Sequence, residues 1–307
     1  MKKILVTGVA GFIGSHLAKR FIQEGYKVYG IDNLSNGKIE NVPNEVEFMN
    51  IDLSVNSEIE KIPSECDIIA HLAGQSSGEI SYHEPIIDLN KNTISTLNLI
   101  NYGIQNKVEK ILYASSMSVY GDIKSNNKGV FESQYLFPKS CYGVSKLSSE
   151  KYLRIYKNKI PFVSLRMFNV YGPGQDLNNL KQGMVSIYLA QALKSSKIII
   201  KGSLSRFRDF IFIDDVIEAW FRASKFSAAI NQEINIGTGI KTTVKDLTKK
   251  IFKITNVYDY EIHEGTPCDQ LGIYADVSKI KNILEIDKFV SLDDRLEIFH
   301  NWVSKNS

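Results

Sequence analysis

Short apolar runs alternate with amphipathic stretches through the first half of the chain. "KKILVTG" (residues 2–8) is a strand-like run, and "FIGSHLAKRFIQEG" (12–25) places Ile13, Leu17, Phe21 and Ile22 at helical spacing with Gly25 as a stop. "KVYGID" (27–32), "VEFMNIDL" (46–53), "CDIIAHLAG" (66–74), "KILYASS" (110–116) and "PFVSLRMFNVYG" (161–172) repeat the strand signal. Between them, "PIIDLNKNTISTLNLINYGI" (85–104) and the stretch after Tyr142 read as helices. This alternation predicts an α/β protein with a Rossmann-type doubly wound parallel sheet and helices on both faces. From about residue 170 loops lengthen ("GPGQDLNNLKQG"), and short strands ("KIIIKG", "EINIGTG") mix with helices such as "MVSIYLAQALKSS". The expected organisation is therefore a dinucleotide-binding domain over 1–168 and a smaller, partly interleaved substrate lobe over 169–307, covering the carboxyl ends of the strands.

Composition narrows the classes. A chain of 307 residues with 43% hydrophobic and 23% charged residues suits a globular fold with a sizeable core. A net charge of +3 without like-charge runs gives no reason to expect nucleic acid or a membrane surface as partner. The N-terminal "MKKILVTGVAGFIG" superficially resembles a signal peptide, but glycines interrupt it and charge returns at Lys19 and Arg20. No run approaches the ~18 apolar residues of a membrane helix, and a cytoplasmic location is expected. The three cysteines (Cys66, Cys141, Cys268) and five histidines show no ligand or disulfide spacing, so no metal is expected. Cys141 reads as packing, since nothing nearby suggests an activating base.

Candidate chemistry starts at Gly8, Gly11 and Gly14, which sit in "TGVAGFIG" between a strand and a helix. Small residues there let the backbone approach a pyrophosphate, which the helix N-terminal amides then meet. Asp32 ends the next strand, 18 residues beyond Gly14. A carboxylate there accepts hydrogen bonds from adenosine ribose hydroxyls and repels a 2′-phosphate, so NAD is favoured over NADP, although Lys38 nearby would soften that repulsion. Asp52 either contacts the adenine amino group or caps a helix.

Tyr-x-x-x-Lys occurs three times: Tyr120 with Lys124, Tyr135 with Lys139, and Tyr142 with Lys146. The first runs into turn residues and the second spans Pro138, whereas the third enters a sustained helix with no proline before Pro161. Tyr142 and Lys146 thus project from one helical face. A phenol with pKa ~10 is a poor base. The lysine ammonium and an oxidised nicotinamide are expected to lower that value, giving a proton-exchange pair. Ser116, with Ser115 and Ser118 as rivals, ends a strand and can hydrogen-bond the same substrate oxygen.

"TGVAGFIGSHL", "GIDNLSNGK", "HLAG", "KNTISTLNL", "YASSMSVYG", "YGVSK", "LRMFNVYGP", "RFRDFIFIDDV", "INIGTG" and "YADVSK" follow one another along nearly the whole chain. This ordered series resembles the extended short-chain dehydrogenases/reductases, and within them the NAD-dependent nucleotide-sugar 4-epimerases. The resemblance implies Ser116, Tyr142 and Lys146 as catalytic trio. It implies a transient 4-keto sugar that turns in the site while NAD stays bound, and UDP-linked glucose/galactose, N-acetylhexosamine or uronate substrates. It assigns the cofactor to Gly8, Gly11, Phe12, Ile13, Gly14, Asp32, Asn33, Asn36, Gly37, Asp52, Leu53, Leu72, Ala73, Gly74 and Asn92 together with Tyr142 and Lys146. Asn169 and Arg208, with Ser116, are assigned to substrate; a planar guanidinium suits phosphate oxygens. Without the resemblance, Arg208 beside Asp209 reads as a surface ion pair and Asn169 as a strand-end turn residue. A homodimer is implied through the helices near 87–105 and 142–157, and a role in polysaccharide or surface-glycan synthesis.

Four positions depart from the pattern, one of them Cys141, which replaces the common proline before the catalytic tyrosine. Thr266 and Cys268 stand where an Arg-x-Gly element supplies a second diphosphate arginine, leaving Arg206 as the alternative donor. Ile273 lies where related enzymes gate the N-acetyl group. Neighbouring reactions are less well supported: a 4,6-dehydratase or decarboxylase needs an acid beside the serine, where this chain has Met117 and Ser118. A keto-sugar reductase would prefer NADP, against Asp32, and a non-catalytic dinucleotide-binding regulator would not need the intact trio.

Overall fold

The computed structural model describes residues 1–122, 128–179, 183–265 and 271–306. Its strands are β1 (Lys3–Thr7), β2 (Lys27–Asp32), β3 (Glu47–Asn50), β4 (Ile68–His71), β5 (Lys110–Ser116), β6 (Phe162–Met167), β7 (Asn169–Tyr171), β8 (Ile198–Lys201), β9 (Phe207–Arg208), β10 (Phe210–Phe212), β11 (Gln232–Ile236), β12 (Thr242–Thr243) and β13 (Tyr260–His263). Seven of them form one parallel sheet in the order β11-β6-β5-β4-β1-β2-β3. Chain direction across the sheet reverses beside β1, which opens a crevice at the carboxyl ends of β1 and β4.

Alternation along each strand builds two cores. Ile4 and Val6 face the helices Phe12–Gln23 and Ile213–Lys225, packed with Leu17, Phe21, Val216 and Trp220. Leu5, Ile69 and Ile111 face the opposite layer, with Leu99, Ile100 and Leu153 from the helices Ser95–Gln105 and Cys141–Tyr156. Because both faces are covered, these strands read as near-continuous apolar runs.

Three features differ from the sequence expectation. The "FVSLRMFNVY" run is broken at Phe168: β6 stays in the main sheet, while β7 pairs in parallel with β10. "EINI" does not belong to a separate small sheet, since β11 pairs with β6 at the edge of the main one. Residues 169–307 thus supply both an edge strand and a covering helix to the layer formed by residues 1–168. Finally, the helix expected over 85–104 contains a π-helical turn, Asn90–Ile94, between Pro85–Leu89 and Ser95–Gln105. No helix among the described residues is long and apolar enough to cross a membrane.

Candidate active site

A cleft of about 980 Å³ opens at the carboxyl ends of β1, β2 and β4. Gly8, Gly11, Phe12, Ile13, Gly14, Asp32, Asn33, Asn36, Gly37, Asp52, Leu53, Leu72, Ala73, Gly74, Tyr142 and Lys146 all line it. The turn between β1 and the first helix is closed tightly: a Cβ on Gly14 would stand 2.0 Å from the Gly8 carbonyl oxygen. Among the described residues no side chain caps that helix, and no acid occupies its first turn. Its N-terminal amides and their partial positive charge are therefore directed at the cleft, where a pyrophosphate fits.

Asp32 is nearly buried, with Oδ2 accepting from the Ala10 amide (3.1 Å) and Oδ1 from the Leu34 amide (2.9 Å). Burial raises its pKa while these amides hold it down. Asp52 does not cap a helix: Oδ1 accepts from the Ser54 amide (2.9 Å) and hydroxyl (2.6 Å), and Oδ2 from Asn33 Nδ2 (3.0 Å). It braces the turn after β2 through Asn33, and the next helix starts only at Asn56. Lys38 reaches across the mouth to Asp176 (3.5 Å) in the loop after β7. Lys91, which opens the "KNTISTLNL" segment, and Gln175 also line the cleft; sequence reading assigns neither a role, because a single polar residue carries no local signal of where it points.

The reacting side chains arise from two elements. Ser116 ends β5, and its oxygen accepts from the Ser118 amide (3.1 Å) at the head of a 3₁₀ turn. Ser140 caps the helix Cys141–Tyr156 through Gly143 N (3.1 Å), which sets Tyr142 in the first turn. The Ser116 hydroxyl donates to Ser118 Oγ (3.2 Å) and lies close enough to Tyr142 to favour its phenolate. Lys146 Nζ lies 5.7 Å from the Tyr142 ring centroid and 5.1 Å from that of Tyr113. The protein's own groups alone do not give the lowering expected with an oxidised nicotinamide bound. Burial pushes Tyr142 up to about 12, opposed by the Ser116 hydroxyl, and burial pushes Lys146 down to about 8. Desolvation therefore sets the baseline against which a cation at the nicotinamide position would act.

Asn92 stands behind the cleft wall on the π-turn. Its Oδ1 is buried without a hydrogen-bond partner, and a Cβ on Gly74 would lie 2.4 Å from it. An orphaned acceptor, a glycine-closed turn and an uncapped helix end are the features a dinucleotide would satisfy, so the residues present fit NAD.

Asn169 lies beside the Ser116 end of β5, while Arg208 packs near Arg206 and Tyr188. Asn169 Nδ2 donates to the Asp209 carbonyl (3.0 Å) and meets Met117 Sδ (3.5 Å), next to Ser116. Arg208 is no surface residue: it is buried, and burial with Arg206 beside it lowers its guanidinium to about 10. Asp209 turns away and accepts from Thr238 N (2.9 Å) and Oγ1 (2.6 Å), Gly239 N (2.9 Å) and Ala275 N (3.1 Å). Ile273 is packed in a small core with Val119, Tyr120 and Phe168. Thr266 and Cys268 lie outside the described residues. Among the described residues no cluster of metal-ligating side chains occurs.

A parallel doubly wound sheet with this glycine turn, an acid closing β2 and a Ser–Tyr–Lys group beside the cleft defines a dinucleotide-dependent enzyme acting on a carbinol carbon. Residues 4–237 match the NAD dependent epimerase/dehydratase family. A UDP-glucose 4-epimerase of Mycolicibacterium smegmatis is 34% identical over 255 residues, 80% of each chain. The crystal structure of Thermotoga maritima UDP-glucose 4-epimerase with UDP-glucose superposes with a TM-score of 0.95 at 33% identity, covering 99% of both chains. Bacillus cereus UDP-glucuronic acid 4-epimerase, in complex with UDP-glucuronic acid and NAD, gives 0.91 at 29% identity over 99% of this chain and 100% of that one. The chain belongs to the NAD-dependent epimerase/dehydratase family.

Proposed function

We propose that the protein is an NAD-dependent 4-epimerase of nucleoside-diphosphate sugars, with UDP-linked hexoses and hexuronates as the first substrates to test. The observation that carries this reading is the approach of Ser116, Tyr142 and Lys146 to a cleft walled by the glycine turn and Asp32. Asp32, Asn33, Asn36 and Gly37 would hold the adenosine, Asp52 and Leu53 would flank the adenine, and the first-helix amides with Phe12 and Ile13 would hold the pyrophosphate. Leu72–Gly74, Asn92 and Lys146 would hold the nicotinamide half. When bound, NAD supplies the hydride acceptor and donor for the sugar carbon.

The chain's own part is proton transfer and orientation. Tyr142 Oη takes the proton of the sugar 4-hydroxyl and returns it. Ser116 Oγ hydrogen-bonds the same sugar oxygen, and Lys146 stabilises the phenolate. Arg208 and Asn169 would anchor the diphosphate while the sugar turns. The elimination reaction of related dehydratases needs a carboxylate beside Ser116, and Met117 stands there. Ile86, Ile87 and Leu89 on one helix and Val144 and Ile155 on another are exposed apolar residues, which supports a homodimer; a cytoplasmic setting completes the reading.

Proton NMR of the purified protein, with UDP-glucose, UDP-N-acetylglucosamine, UDP-glucuronate and GDP- or CDP-linked sugars and no added cofactor, tests the proposal. The C4 epimer of one sugar is expected; unchanged sugars with NAD bound would overturn the 4-epimerase reading.

A further inference from the structure

Behind the reacting groups lies a carboxylate that the mechanism above does not use. Asp88 is fully buried, although its neighbours Ile86, Ile87 and Leu89 on the same short helix are exposed. Three donors converge on it. Oδ1 accepts from Gln75 Nε2 (3.1 Å) and Asn92 Nδ2 (3.0 Å), and Oδ2 accepts from the Ser145 hydroxyl (2.7 Å). Burial raises the Asp88 pKa, while the Ser145 hydroxyl, the Lys146 ammonium and the Asn92 amide oppose it and favour the carboxylate. The second hydrogen of the Asn92 amide goes to the Gln75 carbonyl (3.0 Å), so both are committed to acceptors. The amide cannot flip without losing both, and this fixes Oδ1 toward Gly74.

Ser145 immediately precedes Lys146, so the same carboxylate ties the turn carrying Lys146 to the π-turn carrying Asn92. We propose that Asp88 is a positioning residue for the reaction: a buried counter-charge to Lys146 that also, through Asn92 and Ser145, orients the wall of the cleft against which the reacting side chains stand. The inference rests on the Ser116–Tyr142–Lys146 reading above. Its charge raises the proton affinity of both Lys146 and Tyr142. The other groups facing the pair are Tyr113 on β5, Ser116, and His71 on β4, which burial keeps neutral. Glu84, Tyr82 and His83, on the chain just before the Asp88 helix, remain at the surface, and Glu79 is half-buried.

Removing the Asp88 charge makes proton loss easier at both sites, so both limbs of a pH–rate profile move to lower pH. A residue serving packing alone would lower the rate without moving either limb. The test compares wild type, Asp88→Asn and Ser145→Ala holoenzymes by the pH dependence of kcat/KM. Alongside it, the NMR titration of ¹³Cζ-labelled tyrosine is followed at Tyr142, whose signal is identified by its loss in Tyr142→Phe. In Asp88→Asn both limbs and the Tyr142 titration should fall by ~0.5 unit or more, a ~3-fold change in each ionisation constant. Ser145→Ala, which keeps the charge, should leave them in place. Should Asp88→Asn fail to fold, Asp88→Ser takes its place. Profiles that superimpose on wild type, or an equal displacement in Ser145→Ala, would overturn the counter-charge. The Tyr142 titration requires no turnover, so its outcome is separate from whether any sugar is epimerised.

Discussion

Breaking the ion pair between Glu150 and Arg166 should damage this protein more than most single changes. Their side chains are 2% and 3% exposed. Glu150 Oε1 accepts from Arg166 Nε (2.9 Å) and from the Ser115 hydroxyl (2.5 Å), while Oε2 accepts from Arg166 Nη2 (2.8 Å). Arg166 Nη1 continues to the Tyr120 hydroxyl and the Glu132 carbonyl, each at 3.0 Å. Replacing Arg166 by Met leaves the buried carboxylate with the Ser115 hydroxyl and no counter-charge, at a cost of about 3–5 kcal/mol. Glu150→Gln strands the guanidinium and is expected to cost a similar amount. The double variant carries neither charge, so its loss should fall short of the sum of the singles by about 2 kcal/mol or more. Equilibrium urea unfolding of the three variants, followed by tryptophan fluorescence, measures the cycle. Ser115 precedes Ser116, so Arg166→Met should also lose turnover. Single losses below about 1 kcal/mol, or additivity within ~0.5 kcal/mol, would refute the reasoning.

Tyr142→Phe should lower turnover by about 10²–10⁴ while NAD remains bound, checked by NMR epimerisation and by cofactor content; a wild-type rate would remove the phenol from the mechanism. Gly14→Ala drives a methyl to 2.0 Å from the Gly8 carbonyl oxygen. It should cost about 2 kcal/mol or more and release NAD, and a wild-type Tm with NAD retained would contradict it. Burial lowers His71 to about 3. The unfolded chain then binds the extra proton below about pH 6.5, so stability falls as pH falls from about 6.5 toward 3. His71→Gln should shrink the drop in urea midpoint between pH 7 and pH 5, and an unchanged drop would place the acid sensitivity elsewhere.

Much of this fold was legible because local pattern and tertiary role coincide. The strands β1, β2, β4, β5 and β6 are largely apolar runs because both sheet faces are covered, and the glycine turn, Asp32 and the Tyr142 helix carry their spacing in the sequence. The rest depends on distance and burial. The apolar positions of 85–104 continue across the π-turn, so periodicity shows a helix but not the extra residue in its turn. Pairing of β11 with β6 joins segments far apart in sequence, which no local signal reports. Adjacent Arg208 and Asp209 suggest an ion pair on paper, but Asp209 sits between β9 and β10 with its carboxylate taken up by Thr238, Gly239 and Ala275. For Tyr142, likewise, sequence shows the nearby charge but not the desolvation that opposes it. Asp88 stayed unmarked because one acid in a helical run reads as a solvated face until its three donors are seen.

The sheet order also sets a timetable for synthesis. β6 is finished at Met167, but β11, which covers its outer edge, begins only at Gln232, 65 residues later. At about 5–20 residues per second, a ribosome leaves that edge bare for roughly 3–13 s. During that interval β6 offers a row of unpaired amides and carbonyls to any neighbouring strand, including the same strand of another nascent copy. Production of this protein should therefore respond to translation speed and chaperone supply through one particular edge, and fragments ending between β6 and β11 should be the aggregation-prone ones.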